Sequence, residues 1–157
     1  MFCKVILWPK VGPVAAYVLA YFIVQWAQRE AGQMAYRTYN PNPDGKRVGD
    51  CTVRAISAAS GKSWEEVYIA LAVEGFALHD MPSANRVWGS VLRRHGWHRK
   101  ALPNACPDCY TVADFAADHP AGAYILALPS HVVTVIDGDW LDTWDSGDEA
   151  PIYYWER

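Results

Sequence analysis

The sequence predicts an α+β domain in which helices come first and an antiparallel sheet second. Apolar residues recur at helical spacing between Cys51 and Leu92, and capping residues stand where each run opens. After Pro120 the period changes to continuous or β-branched apolar runs separated by turn chemistry. A chain of 157 residues that is 52% hydrophobic can bury a core within one compact domain.

Residues 1–33 read as an apolar extension of a domain that occupies residues 34–157. Val11 to Ala27 runs VGPVAAYVLAYFIVQWA, polar only at Gln25, and lies near the short end of a bilayer-spanning helix. Three readings stand open: a membrane anchor, a helix packed on the domain, or a segment upstream of a domain that starts at Met34. Lys4 and Lys10 before the run and Arg29 after it leave its orientation undecided.

Tyr36 to Asp50 reads as a polar connector, dense in turn chemistry through Asn40-Pro41-Asn42-Pro43-Asp44-Gly45. A helix then opens at Cys51. Asp50 is expected as its N-cap, with a carboxylate oxygen accepting from amides one turn in; Val53, Ile56 and Ala59 follow at helical spacing and Gly61 ends it. Ser63-Trp64-Glu65-Glu66 forms a capping box for a second helix with Trp64, Val67, Tyr68 and Leu71 on one face. Ser83 is expected to cap a third, with Val87, Trp88, Val91 and Leu92 inward and Gly96 as its end. Thr111 and Asp114 start a short fourth helix that finishes before Pro120. Ala123 to Leu128 is a strand covered on both faces. His131 to Ile136, the turn Asp137-Gly138 and the return Trp140 to Trp144 make a hairpin, and Ile152 to Trp155 closes the sheet.

A formal net charge of -3 offers no basic face for nucleic acid. Arg93-Arg94 and Arg99-Lys100 read as a solvated helix end. The four cysteines, Cys3, Cys51, Cys106 and Cys109, do not have the spacing of a small disulfide scaffold, and reduced thiols agree with the cytoplasm. Cys106-Pro107-Asp108-Cys109 has the interval of zinc ligands or a redox dithiol, with His95 and His98 shortly before. No βαβ pattern surrounds it and the histidines straddle a helix end, so a structural turn is the reading, with no metal and no cofactor.

Cys51 stands out from the other thiols. At the mouth of a helix it meets unpaired N–H groups and the positive end of the dipole, which favour the nucleophilic thiolate. Such a nucleophile needs a base, and the base an orienting partner. A two-residue turn at Asp137-Gly138 sets Val133 opposite Asp142 and makes His131 and Asp142 diagonal neighbours on one face. A three-residue turn would bring Asp145 across from His131 instead. Asp142, inside the regular strand and near the shielding ring of Trp144, is preferred, with Asp145 in reserve.

Cys at a helix start, His at a strand start and a carboxylate followed by a small hydroxyl residue and Trp, here Asp142-Thr143-Trp144, resembles the papain-like cysteine peptidases. From Tyr39 onward, roughly three-quarters of the chain, the stretches YNPNP, VGDCTVRAIS, DMPSANRVWG, CPDCYTV, SHVVTVIDG and DTWDSGDE look like small papain-fold proteins of bacteriophages and prophages, akin to bacteriocin-leader-processing peptidases. The resemblance implies the papain-like fold, with the nucleophile helix packed on the sheet. It further implies Cys51 as nucleophile, His131 as base and Asp142 as orienter in the cleavage of a peptide or isopeptide bond. Acyl transfer or deamidation would use the same groups. The family's glutamine oxyanion donor is missing between Gln33 and Cys51; Asn42 or Asn40 is expected in that role beside the Cys51 N–H. The implied partner is a peptide or protein substrate, in the cytoplasm of a host cell, with membrane contact confined to the residues before Met34. The alternative is a catalytically silent papain-fold module that binds a protein.

Overall fold

The computed structural model describes residues 34–102 and 110–157, within a unit that spans Met34–Arg157. The segment before Met34, with its anchor reading, and the Cys106-Cys109 pair lie outside the described residues. Among the described residues no helix is long and apolar enough to cross a membrane.

The fold is α+β, with four helices and a six-stranded mixed sheet among the described residues. Strand β1 (Tyr36–Thr38) precedes helices α1 (Cys51–Ser60), α2 (Trp64–Leu78) and α3 (Asn85–Arg94). Then come β2 (His98–Ala101), α4 (Val112–Asp118), β3 (Ala123–Ala127), β4 (Val132–Ile136), β5 (Asp139–Asp142) and β6 (Tyr153–Glu156). The sheet order is β1-β5-β4-β3-β6-β2, and β1 runs parallel to β5 while every other pair is antiparallel.

Local chemistry accounts for most helix ends. Gly61 closes α1 in the left-handed conformation at φ 69° and donates its N–H to the Ser57 carbonyl. The capping box of α2 is complete: Glu66 N–H donates to Ser63 Oγ at 3.2 Å and Ser63 N–H to Glu66 Oε2 at 2.9 Å. Replacing Ser63 by alanine is therefore expected to lower stability by about 1 kcal/mol, read as a shift in the urea midpoint at constant slope. Thr111 and Asp114 form the corresponding box for α4.

Three expectations are corrected here. Ser83 does not cap α3: Ala84 N–H bonds the Met81 carbonyl at 2.9 Å, and that turn leaves Ala84 at the cap with Ser83 one place too early. The sheet is mixed rather than antiparallel, because part of the polar connector, Tyr36–Thr38, pairs parallel with Trp140–Asp142. Of the basic residues, Arg93 and Arg94 do end a helix, but Arg99 and Lys100 lie on edge strand β2. There the Arg99 guanidinium stacks 3.7 Å over the Tyr153 ring and Lys100 pairs with Glu156 at 3.2 Å. The C-terminal strand is thereby interior to the sheet.

The sheet is covered on both faces, as the unbroken apolar run at β3 requires. Ile125 and Ala127 join Val53, Ile56, Leu71, Trp88 and Trp155 in the core beneath α1 to α3. Leu126 alternates to the other face, where it meets Val133, Val135, Trp140 and Phe115 of α4. Helix α1 is pinned to β4 by the buried Thr134 hydroxyl, which donates to the Ala55 carbonyl at 2.6 Å. That contact sets the start of α1 beside the end of β5.

Candidate active site

The hairpin turn decides the site's register. Asp137 and Gly138 both take positive φ, 50° and 84°, and Ile136 pairs with Asp139, Val135 with Trp140 and Thr134 with Leu141. This is the two-residue turn. His131 and Asp142 become neighbours, with His131 Nε2 to Asp142 Oδ2 at 2.5 Å. One ring nitrogen is then committed to the carboxylate, which leaves Nδ1 for the Cys51 sulfur on the other side. The cysteine is the first residue of α1, partly exposed, and a free thiol.

The electrostatics of the three groups are mutual. Burial is the largest single influence on Cys51 and works against ionisation, but the hydrogen bond and charge of His131, with the Val132 N–H and the Thr52 hydroxyl, hold the thiol below its ordinary value. Burial likewise disfavours the imidazolium, yet Asp142 and Cys51 together raise His131 to about 9. Burial would raise Asp142, and its contacts to His131, the Thr143 N–H and the Ser146 hydroxyl depress it instead. The arrangement favours a thiolate facing an imidazolium.

Asp142 itself is 2% exposed and fully engaged. Thr143 N–H donates to Oδ1 at 2.7 Å, the Ser146 hydroxyl to Oδ2 at 3.0 Å, and Tyr39 N–H to its backbone carbonyl at 2.7 Å. The Arg54 guanidinium approaches Oδ1 at 3.4 Å. Trp144 stands with its ring centroid 5.4 Å from that of His131 and remains partly exposed, a lid over one side of the pair.

Other expected residues take different places. Asp145 turns away: its Oδ1 accepts from Trp140 Nε1 at 2.9 Å and from Gly147 N–H at 3.1 Å, so it braces the loop after β5. Asn40 donates its side-chain amide to the Gly45 and Lys46 carbonyls, and Asn42 Oδ1 accepts from the Asp44 and Lys46 N–H groups. Both build the 40–46 turn, and Asn42 also borders a cleft. Asp50 occupies the N-cap position of α1, but its carboxylate makes no cap bond. Arg54 and the Trp64 indole, the latter at 2.8 Å, draw it inward instead, so the first-turn amides of α1 are left uncapped by it.

The roles of Arg54, Ser146 and Tyr39 at this site are not among those the sequence predicts, whereas Thr143 belongs to the motif Asp142-Thr143-Trp144. Arg54 alone left a signal, a charge set inside the apolar run Val53 to Ile56 of a buried helix.

Beside the mouth of α1 lies a cleft of about 450 Å³. Gly49, Asp50, Thr52 and Val53, which bracket Cys51 in sequence, form one side, and Trp64, Tyr68, Met81 and Pro82 form an apolar wall. Ser83 also lines the cleft, beside Met81 and Pro82. Among the described residues no three His, Cys, Asp or Glu side chains converge as metal ligands. No family model, curated protein or solved structure matches the chain.

Proposed function

We propose that this chain is a papain-fold cysteine hydrolase that cleaves an amide bond, peptide or isopeptide, through Cys51, His131 and Asp142. The observation that carries the reading is the imidazole of His131 held by a buried carboxylate at 2.5 Å while it stabilises a thiolate at the first residue of a helix. The Cys51 thiolate attacks the carbonyl carbon, forming a C–S bond, and the oxyanion meets the uncapped Cys51 N–H at the helix mouth. His131 gives its proton to the leaving nitrogen as the C–N bond breaks. A water then attacks the thioester while His131 takes its proton; the C–S bond breaks, and an acid and the thiolate are released. The apolar cleft suits a peptide segment lying beside the reacting carbonyl.

A second reading, a catalytically silent papain-fold module that binds a protein, draws on a stripe along α2, where Ile69, Val73 and Phe76 are 61%, 63% and 84% exposed. Labelling with a peptide-like electrophile and site-resolved mass spectrometry separates the two. The hydrolase should label at Cys51 well before Cys3, Cys106 or Cys109, and should cut members of a peptide library that the Cys51→Ala protein leaves intact. Equal labelling of all four thiols with no cleavage would establish the binding module instead.

A further inference from the structure

We propose that Arg54 is a positioning residue of this site: its guanidinium, held by Asp50, fixes the Asp142 carboxylate against His131 and sets the local charge around the sulfur. The proposal rests on the hydrolase reading above and deepens it. Arg54 lies one turn after Cys51, and its side chain is 8% exposed, a depth at which a cation persists only when paired. It has two carboxylate partners and one carbonyl. One terminal nitrogen donates to Asp50 Oδ1 and, at 3.4 Å, to the Val48 carbonyl; the other reaches Asp142 Oδ1 at 3.4 Å. The second contact is long for a hydrogen bond, so its weight is chiefly Coulombic. Asp50 is anchored in turn by Trp64, whose ring also walls the cleft. A continuous polar chain therefore runs from the cleft wall through Asp50 and Arg54 to Asp142, His131 and the sulfur.

Charge distinguishes this role from simple packing. The charged groups linked to the sulfur's helix mouth are Asp50 at the N-cap of α1, Arg54 on α1, His131 before β4 and Asp142 at the end of β5, while the Tyr36 phenol on β1 donates to the Asp142 carbonyl at 3.3 Å. Asp44 and Lys46 of the connector neutralise one another at 2.6 Å on the surface. Without Arg54, two buried carboxylates would face the Cys51-His131 pair with no fixed cation between them. Thiolate would be disfavoured. Without the Asp50 charge, the guanidinium would be less compensated, and thiolate would be favoured.

The test is the pH dependence of Cys51 carboxymethylation by iodoacetamide in the full chain, resolved by mass spectrometry. Arg54→Met should move the acid limb to higher pH and lower the rate on that limb about tenfold, as a displacement of one pH unit requires. Arg54→Lys should restore most of it, and Asp50→Asn should move the limb to lower pH. Unmoved limbs in Arg54→Met and Asp50→Asn, or displacements of the same sign, would overturn the proposal. If Arg54→Met does not fold, the sign in Asp50→Asn decides alone: a fall supports the proposal and a rise or no change refutes it. A wild-type profile like that of a free thiol would sink the hydrolase reading itself. A low wild-type limb unmoved by the variants would sink only the role of Arg54.

Discussion

Replacing His131 by alanine is expected to slow Cys51 alkylation at pH 6 by roughly 10- to 100-fold, and amide hydrolysis by about 10² to 10⁴. The imidazole is the largest influence holding the thiol down, and without it burial is opposed only by the Val132 N–H and the Thr52 hydroxyl. The thiol would rise toward its ordinary value, and at pH 6 little thiolate would remain. Iodoacetamide kinetics followed by the mass of the Cys51 peptide measure this directly; an unchanged rate would remove His131 from the chemistry. The same pair sets a stability window. A base whose pKa rises from 6.5 to about 9 on folding contributes fully below 6.5, and that contribution is lost as pH rises through about 9. Asp142, depressed on folding, contributes above its ordinary value of 3.8 and loses that contribution as pH falls through its folded value. Thermal unfolding of the wild type should therefore decline toward both extremes, and His131→Ala should flatten the alkaline side.

Asp142→Ala is expected to be the most destabilising change in the site, at roughly 3–5 kcal/mol. Its carboxylate is buried and serves four groups, so truncation leaves the Thr143 N–H, the Ser146 hydroxyl, the imidazole and the Arg54 guanidinium each short of an acceptor. Calorimetry should show a Tm lower by roughly 10 °C or more. Asp145→Ala, which unpairs only Trp140 Nε1 and the Gly147 N–H, should cost far less. Equal losses would mean that both acids serve the loop rather than the histidine.

The legible parts of the fold are those whose cause is local. Ser63 with Glu66, Thr111 with Asp114 and Gly61 act within one turn, and each stands where its sequence context predicts. The Asp137-Gly138 turn is equally local, and because side chains alternate along a strand it brings His131 and Asp142 onto one face without reference to anything distant. Strands β1 and β2 were not legible. They are three and four residues long, largely exposed, and held by pairing to β5 and β6 more than 50 positions away in sequence. The side chain of Asp50 departs from its expected cap for a related reason: capping is a local preference, and here a guanidinium and an indole nitrogen compete for the same oxygens.

By itself the amino-acid order determined the helix-then-sheet class, the placement of Cys51 at a helix mouth and the pairing of His131 with Asp142, because each depends on residues a few positions apart. The tertiary structure alone decided that the helix mouth meets the hairpin and that Arg54 bridges Asp50 to Asp142. Those contacts join groups 80 and 88 residues apart, and they exist only once the packing of α1 on β4 has excluded water and obliged every buried charge to find a partner.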